Sequence, residues 1–332
     1  MRHTFVLLAL VVLMAVAASP IQGQPAAVTV YSGRSRELVG PLLDRFTAST
    51  GIQVRVRYGE TAELAATIME EGPNSPADVY FAQDAGALGA LSFARRLRPL
   101  PQEVLSRVDP RFRSTDGTWV GVSGRARVVV YNTRRLSPRD LPTSIAGFTQ
   151  PKWRGRIGWA PTNGSFQAHV TALRLLWGNE RTRQWLLGIK ANGARAYRNN
   201  TAIVAAIGAG EIDVGFVNHY YLFAFLKERG EAFPARNYYF PGTDAGNLIN
   251  VAGAGIVDTS RNPAAQRLVE FLLSTDAQRY FASETFEYPL VSGVPVNPLL
   301  LPLAQIKNPK VDLNHLQALE ETLKLLRETG IL

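Results

Sequence analysis

The chain has 332 residues, a length typical of about two domains, and a formal net charge of +9. It contains no cysteine, which excludes disulfides, thiolate metal sites and the lipidated cysteine that anchors many exported bacterial proteins. Its basic residues are scattered along the chain, which argues against a nucleic-acid partner and favours an anionic ligand or an anionic membrane surface.

The N-terminus predicts export. Basic residues precede an apolar run over residues 5–18 that is too short for a transmembrane helix and has the flanks of a secretory signal peptide. Cleavage is expected within residues 1–23, after the Ala-Val-Ala triplet at 15–17 or at Gly23, and a retained anchor is the alternative. We therefore expect a periplasmic protein without a lipobox cysteine.

The mature chain opens with a β-α-β unit, which predicts a parallel sheet. Hydrophobic periodicity predicts strands at residues 28–31, 52–56 and 79–81, and helices ending at Gly51 and spanning 61–71. Ligands of open α/β sheets lie at the carboxyl ends of strands. Residues 32–36 and 82–84 are therefore expected on one rim of a binding cleft.

A second α/β unit follows without a flexible linker. The predicted elements are strands at 127–131, 157–159, 212–217, 238–240 and 250–256, and helices at 165–176, 201–207, 219–229, 263–274 and a leucine-rich C-terminal stretch around 316–326. Two such units without a linker indicate two lobes that share crossover strands.

Two adjacent tyrosines, Tyr220 and Tyr221, stand at the start of a predicted helix with Asn218 as its N-cap and Gly230 at its end. The unpaired N–H groups of a helix start favour negative charge, and phenolate oxygens are the hard donors that trivalent iron prefers. Aromatic packing is the alternative, since a second pair at residues 238–239 lies in a predicted strand. The pair alone does not decide between these interpretations.

Six sequence blocks resemble bacterial ferric-iron-binding proteins, the periplasmic receptors of iron(III) ABC importers within the extracellular solute-binding protein family. They occur in the family's order: VTVYSGR, NSPADVYFAQDAGALGALS, GRARVVVYNT, PKWRGRIGWAPTNGSF, GEIDVGFVNHYY and EYPLVSGVPVN. The resemblance covers nearly all of the mature chain. It implies an α/β, bilobal, type II periplasmic-binding-protein fold whose two mixed-sheet lobes are joined by crossover hinge strands and close on the ligand. Lobe one is predicted at 26–126 plus 252–302, and lobe two at 127–251 plus 303–332.

The resemblance places the family's tyrosine ligands on Tyr220 and Tyr221. Other ligand positions differ from those of relatives. Ser35 and Arg36 stand where many relatives have a histidine or His-Tyr, and Gln83 stands where some have a glutamate. The turn that supplies a further tyrosine in others contains none here. His219 is expected to pack or hydrogen-bond, not to bind metal.

Two phenolates would leave a ferric ion with residual positive charge, so carbonate, phosphate or hydroxide is expected to complete its coordination. The turn at 163–165 opens a helix whose N-terminus suits an anion, and the resemblance places Asn200 and Asn218 at anion-holding positions. The residues predicted to bind the anion or line the cleft are Asn163, Gly164, Ser165, Asn200, Asn218, Arg125, Arg127, Arg34, Arg36, Ser35 and Gln83. Purely structural roles remain open here: an ordinary turn at 163–165, an ion pair for Arg127, and a solvated rim for Arg34 and Arg36.

The predicted function is capture of iron(III) (Fe3+), with carbonate or phosphate as accompanying anion, and delivery to an inner-membrane ABC permease and its ATPase. The protein is expected to be a monomer, without nucleic acid and without enzymatic activity. One alternative is a different solute on the same fold: a phosphonate, a thiamine-like cation or an organic anion. An exported hydrolase has less support, because G-x-S-x-G and H-E-x-x-H motifs are absent and the mature chain has few histidines.

Overall fold

The computed structural model describes residues 27–332, and the predicted signal peptide lies outside the described residues. The strands are β1 (Ala27–Ser32), β2 (Gln53–Tyr58), β3 (Val79–Ala82), β4 (Leu97–Arg98), β5 (Trp119–Asn132), β6 (Ile157–Trp159), β7 (Arg195–Ala196), β8 (Val214–Asn218), β9 (Ala235–Tyr238), β10 (Ile249–Val257) and β11 (Tyr288–Pro289). The helices are α1 (Arg36–Thr50), α2 (Thr61–Glu71), α3 (Ala85–Phe93), α4 (Gln102–Leu105), α5 (Gly164–Trp177), α6 (Asn179–Ala191), α7 (Asn200–Ala209), α8 (Tyr221–Arg229), α9 (Pro263–Leu272), α10 (Thr275–Ser283) and α11 (Leu319–Glu328). None of the helices within 27–332 combines the length and apolarity that a membrane span requires.

The first sheet has the order β2-β1-β3-β10-β5, with β4 beside β10 and β11 beside β5. β1 runs parallel to β2 and β3, as the predicted β-α-β unit requires, whereas β10 runs antiparallel to both β3 and β5. The sheet is therefore mixed. The carboxyl ends of β1 and β3 carry the predicted rim residues to the same edge of this sheet.

The second sheet begins on the same long strand. β5 pairs with β10 up to Ala126, and from Arg127 onwards it pairs with β8 and β9. β6 and β7 extend the second sheet beyond β8. One strand thus passes from one sheet into the other between residues 126 and 127, and side chains at this point lie between the two lobes.

Each sheet has its own apolar core. Phe46, Phe81 and Leu88 are fully buried in the core of the first sheet. In the core of the second, Phe148 packs edge-on against Phe216 with ring centroids 5.5 Å apart. Burial of such rings is the main stabilising contribution within each lobe.

The C-terminal segment contributes to both cores. It was predicted to belong to lobe two, but Leu316 packs in the first core and Leu326 in the second. The regular helix of this segment begins only at Leu319, and a 3₁₀ turn over Leu313–Gln317 precedes it. This segment therefore packs against the cores of both sheets.

The predicted start of the tyrosine helix was wrong. Asn218 is not an N-cap; it is the last residue of β8, held extended by its pairing with Arg127 on β5. Tyr220 occupies the N-cap position and Tyr221 is the first helical residue. The strand partner, which the sequence does not reveal, overrides the local preference of asparagine for a cap.

Candidate functional site

The two tyrosines lie side by side where β8 passes into α8. Their ring centroids are 4.3 Å apart with the planes inclined by 31°, and Tyr220 is almost fully buried. Burial, followed by the proximity of Tyr220, raises the pKa of the Tyr221 phenol well above its usual value. Ionisation of Tyr221 therefore needs a strong cation beside its oxygen.

Lobe one reaches each phenol oxygen with one hydrogen-bond donor. The Nη1 atom of Arg34, just after β1, lies 3.4 Å from the Oη atom of Tyr220. The Nε2 atom of Gln83, just after β3, lies 3.0 Å from the Oη atom of Tyr221. Both predicted rim segments thus meet the tyrosines across the cleft.

Arg34 is part of a buried ion pair. Its Nη2 atom lies 2.6 Å from the Oε2 atom of Glu287, and neither side chain is accessible to solvent. Although burial alone would lower it, the adjacent Glu287 carboxylate raises the pKa of Arg34 above its usual value. Arg34 therefore carries its charge in the cleft as half of a neutral pair. Glu287 was not among the predicted site residues, since 253 positions separate it from Arg34.

Arg125 and Arg127 lie on the same face of β5 and are almost fully buried. Burial lowers the pKa of both, and together with the charge of Arg125 it brings that of Arg127 to about 9. All three nitrogens of Arg125, and the Nε and Nη2 atoms of Arg127, lack a hydrogen-bond partner within residues 27–332. Because buried donors without partners are costly, these five nitrogens indicate an anionic ligand.

A polar network holds Arg127 in place. Its Nη1 atom donates to the side-chain oxygens of Asn218 at 3.1 Å, Ser165 at 3.2 Å and Asn200 at 3.3 Å. Asn163 caps α5 and accepts from Ser165 and Asn200. The Nδ2 atom of Asn218 is buried without a partner in the described chain. The amide nitrogen of Asn218 is thus available to an anion. Ser165 and Asn200 accept hydrogen bonds from Arg127, and Asn163 in turn accepts from these two side chains.

Gly164 lies at a tight contact between the lobes. A Cβ atom at this position would stand 2.8 Å from the Oδ2 atom of Asp84 and 3.0 Å from the Cβ atom of Thr61. Both neighbours belong to lobe one. Glycine therefore allows the start of α5 to approach the opposite lobe.

Ser35 and Arg36 have a different environment. Both are exposed, Ser35 precedes α1, and the Arg36 guanidinium lies 5.1 Å from the ring centroid of Tyr58. Among the hydrogen bonds of residues 27–332, none joins either side chain to Tyr220 or Tyr221. Ser35 and Arg36 are therefore exposed to solvent and are not hydrogen-bonded to the tyrosine pair.

His219 hydrogen-bonds through both ring nitrogens, as predicted. Nδ1 accepts from the backbone N–H of Ala126, and Nε2 donates to the carbonyl of Phe286. Burial lowers its pKa to about 3. Over residues 27–332, no group of three or more histidine, aspartate and glutamate side chains is arranged to hold a metal ion. The tyrosine pair is thus the metal-binding candidate of this cleft.

Comparison with known proteins identifies the family of the chain. Residues 42–308 match the family model described as bacterial extracellular solute-binding protein. The chain belongs to this family. Over 312 residues, this solute-binding protein is 37% identical to the major ferric iron-binding protein of Neisseria meningitidis, covering 92% of this chain and 93% of the relative.

Further relatives agree. The Fe(3+)-binding periplasmic protein of Serratia marcescens is 34% identical over 319 residues, covering 95% of this chain and 93% of that protein. The crystal structure of iron-bound HitA from Pseudomonas aeruginosa superposes with a TM-score of 0.88 at 36% identity, covering 92% of this chain and 100% of HitA. The predicted bilobal type II fold is confirmed.

Proposed function

We propose that this solute-binding protein captures iron(III) in the interlobe cleft, with the phenolate oxygens of Tyr220 and Tyr221 as its protein ligands. The observation that carries the proposal is the tyrosine pair itself: two phenols side by side, each with a donor from the opposite lobe at its oxygen. Relatives of similar length are named for ferric iron, and hard trivalent iron prefers anionic oxygen donors.

An oxyanion such as carbonate or phosphate accompanies the metal. Two phenolates leave a ferric ion with one positive charge, and the Arg125 and Arg127 guanidiniums, five of whose nitrogens lack a hydrogen-bond partner within residues 27–332, add two more. Burial raises the pKa of the Asp84 carboxyl above its usual value despite the nearby Arg125. Asp84 therefore offsets only part of this positive charge. Arg125, Arg127 and Asn218 therefore bind the anion.

The protein acts in the periplasm as the receptor of an ABC importer. Lobe one (26–126 plus 252–302) and lobe two (127–251 plus 303–332) close over the metal by bending at the β5 and β10 crossovers. The closed monomer delivers iron to an inner-membrane permease and its ATPase. It performs no chemistry on the ligand.

A visible spectrum of the mature protein titrated with ferric citrate, with and without bicarbonate or phosphate, tests the proposal. We expect a broad phenolate-to-iron charge-transfer band that strengthens with the anion and is lost in Tyr220→Phe and Tyr221→Phe. Tyr238→Phe is the matched control, since Tyr238 donates to the carbonyl of Pro142 away from the cleft.

Tight iron binding that ignores carbonate and phosphate would contradict the anion's role. Absence of the band under every condition would contradict iron as the cargo. The same fold would then carry another solute, and phosphonates, thiamine-like cations and organic anions would be screened by thermal shift.

A further inference from the structure

Lobe one places one hydrogen-bond donor at each phenol oxygen, Arg34 at Tyr220 and Gln83 at Tyr221, and Gln83 stands where some relatives have a glutamate. We propose that Arg34, held by Glu287, and Gln83 are positioning residues that hydrogen-bond the iron-bound phenolates of Tyr220 and Tyr221 from the opposite lobe. Lobe one would then bind the ligands of the metal, while lobe two binds the metal itself. This inference rests on the proposed iron function.

Glu287 is anchored from three directions. Besides Arg34, its carboxylate accepts from the Oγ atom of Ser123 at 2.7 Å and from the Oγ1 atom of Thr285 at 2.9 Å. The next residue, Tyr288, pairs with Gly124 on the crossover strand β5. The carboxylate is therefore fixed to the hinge, and it fixes the guanidinium that faces Tyr220.

The ion pair also gives Arg34 a role different from that of the other two buried arginines, Arg125 and Arg127. Arg34 is close enough to Arg125 for their charges to repel, and both are fully buried. Without a carboxylate, Arg34 would be a third unpaired cation competing for the anion. Paired with Glu287, it offers an N–H to the Tyr220 oxygen and adds no net charge to the anion site.

Gln83 does the same for the other phenol with a neutral amide. Its backbone N–H is held by the Oγ1 atom of Thr61 at 3.3 Å, and its side chain is buried at the lobe interface. A glutamate here would be an acceptor and would repel a phenolate unless a cation lay between them. An amide nitrogen donates to a phenolate oxygen that still has a free lone pair beside the metal.

The donors and the phenols stand on opposite lobes, so opening of the lobes would break both contacts. A hydrogen bond to an ionised oxygen is stronger than one to a neutral phenol, so formation of the ferric phenolates favours closure. Each donor also stabilises the phenolate electrons that are excited in the charge-transfer band. Loss of a donor therefore moves the band to longer wavelength.

The test uses the iron-loaded mature protein and the variants Gln83→Leu, Arg34→Lys and Glu287→Asp. Glu287→Asp keeps the charge of the ion pair and shortens its reach by one methylene. We expect each variant to bind one iron with its band at longer wavelength, and to release iron to a chelator about tenfold faster than the wild type. Gln266→Leu and Arg45→Lys are matched controls outside the cleft and should leave both readouts unchanged.

Cooperative thermal unfolding establishes that each variant is folded. If the bands of folded Gln83→Leu, Arg34→Lys and Glu287→Asp coincide with that of the wild type, the inference is wrong, whatever happens to the release rate. Faster release without a spectral shift would indicate only loosened lobe closure and would also overturn it. A wild type without any band would instead contradict the proposed iron function.

Discussion

Replacing Arg127 by methionine should remove most of the stabilisation of the iron-free protein by oxyanions. Arg127 is almost fully buried, and its Nε and Nη2 atoms have no partner within residues 27–332. The anion site thus exists before iron arrives, and phosphate or bicarbonate should bind to it alone. Methionine keeps much of the side-chain volume and removes both free donors.

The expected size follows from these two donors. A hydrogen bond to a charged group contributes about 1.5–3 kcal/mol, so loss of both weakens anion binding about a hundredfold even at the lower value. At an anion concentration one hundred times the wild-type Kd, linkage stabilises the wild type by about 2.7 kcal/mol and the variant by about 0.4 kcal/mol. The corresponding rises in Tm are about 5 °C and about 1 °C.

The assay is thermal unfolding of iron-free protein against increasing phosphate or bicarbonate, at constant ionic strength maintained with chloride. The anion-dependent rise is the quantity compared, because Arg127→Met also leaves the Oδ1 atom of Asn218 without its donor and removes a buried charge. Arg139→Met, on the exposed surface, is the matched control and should keep the full rise. An equal anion-dependent rise in Arg127→Met and wild type would refute the assignment of Arg127 to the anion.

Two further predictions concern pH and lobe closure. Burial lowers the pKa of His169 and His219 to about 3, whereas in the unfolded chain both protonate near 6.5, so stability is full above about pH 6.5 and falls as pH decreases towards 3. Chemical denaturation should show a loss of about 2 kcal/mol per histidine between pH 7.5 and 5, and equal stabilities would contradict their burial as neutral rings. Gly164→Ala should weaken iron binding without lowering Tm much, because its Cβ would meet Asp84 across the cleft. Gly242→Ala, where a Cβ meets open space, is its control, and equal iron affinities of the two variants would argue against a tight closed contact at Gly164.

Local patterns were sufficient to predict much of the fold. Leucines at helical spacing and β-branched runs located the first β-α-β unit, and α2 occupies the predicted residues. The helix opened by Asn163 begins where its turn chemistry indicated. α1 and α2 have one buried and one exposed face, so their periodicity is visible in the sequence, whereas α5 is buried over Gly164 to Leu173 and was located by its turn.

Two of the helices that were not predicted, α3 and α10, were missed for different reasons. α3 is apolar and buried on nearly all sides, so it shows no amphipathic stripe. α10 was not predicted: the predicted helix 263–274 ends at Ser274, and that residue is the N-cap of a second helix. Burial on all sides and a short break are tertiary features that periodicity does not report.

The same limit applies to the site. Tyr220, Tyr221, Arg125 and Arg127 could be selected from short motifs, because each pair is adjacent or two residues apart on one strand. The role of Glu287 could not, since only folding brings it to Arg34. The sequence also does not show that nitrogens of Arg125 and Arg127 lack hydrogen-bond partners. This is known only when the positions of the side chains in residues 27–332 are known.

The most direct test of the account is a crystal structure of the mature protein loaded with iron(III) in bicarbonate or phosphate, with the metal located by anomalous scattering. We predict one iron bound by the phenolate oxygens of Tyr220 and Tyr221 in a closed cleft, with an oxyanion between the metal and the guanidiniums of Arg125 and Arg127. Iron located away from the tyrosine pair, or bound there with both guanidiniums still lacking a ligand, would contradict it.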